Sequence, residues 1–104
     1  MAFSYLKPSA FLGPALDNLR LAALKDTEAA ARVGHLADKM QQWREKDRKG
    51  SLGWDAKTTM AAVFYLRKWM ITQKQIRQVE VIRAFGVSNS GFQKRTYEVV
   101  GVLA

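Results

Sequence analysis

The sequence predicts an all-α fold, a small helical bundle of four to five helices. Three observations carry this expectation. Apolar residues recur three and four apart along most of the chain, capping residues and glycines mark the edges of those runs, and no alternating stretch is long enough to demand a sheet. With 104 residues, 48% hydrophobic and 11% aromatic, the chain has material for one core and lacks the profile of a disordered segment. The expected division is an N-terminal arm over residues 1–13 and a single helical domain over 14–104.

The first dozen residues mix aromatic and polar types, and Gly13-Pro14 punctuates them. Pro14 suits the first turn of a helix because its missing N–H would have no partner there, so a helix is expected from this point through Leu16, Leu19, Ala23 and Leu24. Lys25-Asp26-Thr27-Glu28 offers a stop and a restart, with Asp26 or Thr27 as N-cap and Glu28 at the positive end of the next helix. Ala29, Val33, Leu36, Met40 and Trp43 then fall on one stripe of a helix over 29–43, although Gly34 weakens its intrinsic preference. That stripe needs cover, from the domain itself or from a second copy, which makes Val33, Leu36, Met40 and Trp43 the candidate dimerisation residues.

Residues 44–53 are charged and then glycine-containing, a helix end followed by a loop. Asp55 can cap a helix over 56–71 that is apolar on most of its circumference through Met60, Ala61, Val63, Phe64, Leu66, Trp69 and Met70, the expected central core helix. Trp43, Trp54, Phe64, Tyr65 and Trp69 lie at helical spacing or at a helix start, which fits core packing better than base stacking. Thr72-Gln73-Lys74-Gln75 has the capping-box form, predicting a helix from Gln73 with Ile76, Val79, Ile82 and Phe85 inward. Gly86 stands where a helix ends in a left-handed turn, Val87 supplies an apolar anchor and Ser88 a new N-cap, so a second helix follows after a very short turn. In Val99-Val100-Gly101-Val102-Leu103 strand competes with helix.

Composition narrows the function classes. With no cysteine there is no disulfide framework, thiolate metal site or cysteine nucleophile, which fits a reducing cytoplasm. His35 is the single histidine and has no companion ligands or carboxylate cluster, so neither a metal nor a cofactor is expected. No paired carboxylates, nucleophile-base set or phosphate-cradling glycine loop is present, and an enzyme is not expected. No signal-like N-terminus or membrane-length apolar run appears, so the expected location is intracellular, cytoplasmic, or the nucleoid of a bacterium. The net charge of +8 is uneven: residues 1–43 carry five basic and four acidic side chains, residues 44–104 twelve and five. A basic half of this kind suits a phosphate backbone.

Phe85-Gly86-Val87-Ser88-Asn89-Ser90-Gly91-Phe92 resembles the turn of helix-turn-helix DNA-binding regulators and of transposase-type helix-turn-helix domains. These commonly show Gly-Val-Ser, a variable residue and Ser ahead of an apolar anchor. The resemblance covers about a quarter of the chain, residues 73–100, and implies a bundle that ends in a helix-turn-helix. Two positions depart from the pattern: Ile82 stands where a small residue is usual, and Arg95 where a buried apolar residue is usual, which leaves Thr96, Val99 and Val100 as an alternative buried face.

What the resemblance implies is a major-groove reader, a small transcriptional regulator or DNA accessory factor. Asn89, Ser90, Gln93, Lys94 and Tyr97 are its candidate base-reading residues, since Asn and Gln pair with adenine edges and Lys with guanine or phosphate. Ser88, Arg67, Lys68, Lys74, Arg77, Arg83 and Arg95 are the candidate phosphate contacts. The expected partners are double-stranded DNA and a second copy, because one short helix reads few base pairs; no membrane or small-molecule ligand is implied. The alternative is a helical adaptor or oligomerisation protein that binds acidic protein partners through the 29–43 helix.

Overall fold

Pro14 lies within the first turn of the first helix, as its missing N–H allows, in a computed structural model that describes residues 6–47 and 54–103. Helix α1 (Leu12–Asn18) is short because Arg20 adopts a left-handed φ of 62°, alone among the described non-glycine residues. The amides of Arg20 and Leu21 donate back to the carbonyls of Asp17 and Leu16 at 3.0 and 2.7 Å, closing the helix end. A side chain in this backbone region costs about 1–2 kcal/mol. A single 3-10 turn, Ala22–Leu24, replaces the continued helix that Ala23 and Leu24 predict.

The expected arm is not free where it is described. Pro8–Phe11 form a 3-10 turn with Pro8 buried, and Ser9 donates through its amide and its hydroxyl to the Asp38 carboxylate at 2.8 and 2.7 Å. Gly34 admits this segment, since a Cβ there would stand 3.1 Å from Ser9 Cβ. The start of the arm, residues 1–5, and residues 48–53 of the expected loop lie outside the described residues.

Helix α2 (Glu28–Asp47) is capped by Thr27, whose hydroxyl accepts from the Ala30 amide at 3.2 Å, and runs four residues past Trp43. Its buried stripe is Ala30, Val33, Ala37 and Met40. Because 3.6 residues per turn drift against a seven-residue repeat, Gln41 and Arg44 have rotated toward the interior by the last turns and Trp43 has rotated out. Val33 and Met40, at 1% and 5% exposure, belong to the core of a single chain and are removed from the predicted dimerisation set; Leu36 is half-buried and Trp43 is 48% exposed.

Asp55 caps helix α3 (Ala56–Arg67), its carboxylate accepting from the Thr58 amide at 2.9 Å. Five successive residues, Met60, Ala61, Ala62, Val63 and Phe64, are fully buried, so α3 is enclosed on all sides and forms the axis of the fold. It ends earlier than its apolar run predicts. A 3-10 turn, Lys68–Met70, follows, and Trp69 and Met70, both expected in the core, are each 49% exposed.

Helix α4 (Gln78–Phe85) begins five residues later than the Thr72 pattern predicts. Thr72 Oγ1 accepts from the Lys74 amide at 3.1 Å in a turn, while the Glu80 carboxylate reaches back to accept from the Arg77 amide at 2.8 Å. A charged acceptor in the first turn outcompetes the neutral amide of Gln75 and also answers the positive helix end. Val81 and Phe85 form the buried face of α4, with Ile82 half-buried and Val79 turned to solvent, so a spacing of four replaces the predicted spacing of three. Helix α5 (Asn89–Leu103) stays helical through Leu103, with Val99 buried, Thr96 half-buried and Val100 exposed.

Phe64 meets Phe85 with ring centres 5.9 Å apart, and Tyr65 meets Phe92 edge-on at 5.7 Å, so α4 and α5 both rest on α3. Each such pair adds about 0.5–1.5 kcal/mol beyond its area burial. No strand occurs among the described residues, and no helix there is long and apolar enough to cross a membrane.

Candidate functional site

Three residues, 86–88, join α4 to α5. Gly86 has φ 69°, and its amide and that of Val87 both donate to the Ile82 carbonyl, at 2.9 and 3.2 Å. This left-handed closure stops α4 and redirects the chain. Val87 packs against the core, and Ser88 Oγ accepts from the Gly91 amide at 3.1 Å. A Cβ on Gly91 would stand 2.7 Å from that oxygen, so the glycine leaves room for the cap. The Ser88 O–H remains free to donate, as a phosphate contact requires.

Phe92, Val99 and Leu103 turn inward, which places Asn89, Gln93 and Tyr97 on one outward stripe and Ser90 and Lys94 on the next. All five candidate reading residues are exposed, Tyr97 by 82%. From Asn89 to Tyr97 the stripe is about 12 Å long, close to the width of a DNA major groove. It carries no carboxylate: Glu98, the one acid of α5, is half-buried and held by Arg95 at 3.3 Å. Gln93 Nε2 donates to Gln78 Oε1 at 2.6 Å, which fixes the amide plane and leaves Gln93 Oε1 and one N–H outward. Gln78 was not singled out from the sequence; its position at the start of α4 is visible only once the two helices are placed.

The candidate phosphate contacts divide. Lys74, Arg77 and Arg83 are exposed, Arg77 with a loose 3.8 Å approach to Glu80, and Arg67 is half-buried. Lys68 turns onto its own helix end, its ammonium 4.1 Å from the centre of the Tyr65 ring and 3.3 Å from the Tyr65 carbonyl. Arg95 points inward: Nη1 donates to the Asp55 carbonyl at 3.1 Å and to Thr59 Oγ1 at 2.9 Å, and the guanidinium lies 5.1 Å from the Trp54 ring centre. Arg95 is thereby removed from the surface set, because the position three residues after Phe92 is an interior one and a cation there must be paired. Burial pushes its pKa down from the ordinary arginine value, opposed by Glu98 and Asp55.

None of the family models, curated proteins or solved structures compared with this chain matches it.

The surroundings of Arg95 form a polar strut that the sequence did not disclose. Gln41 donates to the Trp54 carbonyl and accepts from Thr59 Oγ1 at 2.9 Å, and the Arg44 guanidinium lies 5.3 Å from the Trp54 ring centre. Thus α2, the start of α3 and the middle of α5 are tied through one partly buried network, which favours a single rotation of α5. An arginine where an apolar anchor is expected was the available signal. His35 is exposed, and among the described residues no group of His, Cys, Asp and Glu could hold a metal ion.

Proposed function

We propose that the protein binds double-stranded DNA sequence-specifically, with the N-terminal half of α5, starting at Ser88, lying in the major groove. On this reading it is a small transcriptional regulator or DNA accessory factor of the cytoplasm or nucleoid. The observation that carries the proposal is the outward, carboxylate-free stripe of Asn89, Ser90, Gln93, Lys94 and Tyr97 at a positive helix end. Supporting it, the chain from residue 56 onward holds eight Lys and Arg against only Glu80 and Glu98. Fifteen residues of helix read few base pairs, so two chains per duplex are expected. Of the seam predicted on α2, Val33 and Met40 lie in the core, which leaves Leu36 and Trp43 as its accessible part.

The test is fluorescence anisotropy on duplexes selected from a random pool. Gln93→Ala should weaken binding to the preferred duplex by about 10- to 100-fold and change little on unrelated DNA. Equal affinity of wild type and the Gln93→Ala, Lys94→Ala double variant for the selected duplex would remove the assignment.

A further inference from the structure

Away from the outward face of α5, a surface cleft of about 420 Å³ opens where the end of α1 meets α4. Arg20, Lys74 and Arg83 line it, with Leu19 and Ile76 as apolar wall and Glu80 as its one acid. Glu80 is already engaged by the Arg77 amide at 2.8 Å, and no described carboxylate lies within ion-pair distance of Arg20, Lys74 or Arg83. Three cations therefore share one concavity with a single carboxylate, leaving it net positive.

A separate observation singles out Arg20. Its φ of 62° is the left-handed conformation that closes α1, where glycine would serve without steric cost. A non-glycine residue in this costly conformation whose side chain lines a charged cleft is a candidate for binding through that side chain. The guanidinium presents paired donors that match a phosphate, and Lys74 and Arg83 supply further positive charge.

We infer that this cleft binds a phosphate group, with Arg20 as its principal ligand. The same chemistry is offered by a backbone phosphate of the duplex, in which case the inference rests on the function proposed above, or by a small phosphorylated molecule, which the cleft volume admits.

The experiment titrates the full chain with inorganic phosphate at constant ionic strength, chloride as reference, and follows backbone amide resonances. Saturable shifts at Arg20, Lys74 and Arg83 are expected. Arg20→Gly, and Arg20→Asn as a second residue that tolerates the left-handed region, should each weaken phosphate binding at least fivefold while the Tm of Arg20→Gly stays level or rises. Shifts no larger than those with chloride, or variants that bind phosphate as wild type does, would overturn the inference. A second arm measures duplex affinity against salt. A slope smaller by about one ion in Arg20→Gly assigns the cleft to the DNA backbone, and an unchanged slope in a variant that has lost phosphate binding assigns it to a free phosphorylated ligand. Absence of duplex binding would sink the function proposed above, while the phosphate titration still decides the cleft.

Discussion

A guanidinium drawn largely inside a small protein costs several kcal/mol unless its buried donors are met, and Arg95 Nε and Nη1 meet partners on Glu98, Asp55 and Thr59. Arg95→Ala should therefore lower stability by about 2–3 kcal/mol in urea unfolding, yet leave the salt dependence of duplex affinity unchanged. A phosphate-contacting Arg95 would show the reverse. Gly86 is the opposite kind of residue, fixed by backbone alone: with φ 69° and nothing within 4 Å of where a Cβ would stand, Gly86→Ala should cost about 1–2 kcal/mol through conformation and not through collision. Thermal unfolding at matched concentration reads that loss. Such residues were legible in the sequence because their geometry is decided within a few positions; Gly86, Ser88, Asp55 and Thr27 all do what their types predict. Arg95 was not, because the atoms that hold it lie 36 and 40 positions away.

Helices were legible as elements and less so at their ends. The enclosed α3 follows from apolar spacing, which is a property of the segment alone, whereas on α2 only Val33 and Met40 of the expected stripe are buried and Ala30 and Ala37 complete it. Where two starts compete, the better acceptor decides, and so α4 begins at Gln78 under Glu80 in place of Gln73. Glu80→Ala should then fray the first turn of α4, costing about 1 kcal/mol and speeding hydrogen exchange at residues 79–82 while α3 is unaffected. An unchanged exchange pattern would mean that burial of Ile76 and Val81, and not the cap, sets the start. Trp69 and Met70 were misplaced for a related reason: their spacing continues the α3 run, but the helix stops at Arg67 and the 3-10 turn points them elsewhere.

At the scale of the molecule, turning Arg95 and Lys68 inward leaves Lys74, Arg77, Arg83 and Lys94 as the exposed cations around α4 and α5. If these four contact phosphate, as proposed, the affinity of each chain for the duplex should fall roughly 100-fold between 50 and 200 mM salt, and anisotropy across that range measures it. A near-flat dependence would detach the charge of the chain from nucleic acid. The enclosure of α3 carries a different consequence. With α2, α4 and α5 all leaning on one rod whose middle never touches water, no outer helix can leave without exposing the others' support. Melting should be a single cooperative event with one midpoint for every spectroscopic probe, and the peptide protons of residues 60–64 should be the last to be replaced by deuterium, escaping only when the whole chain opens.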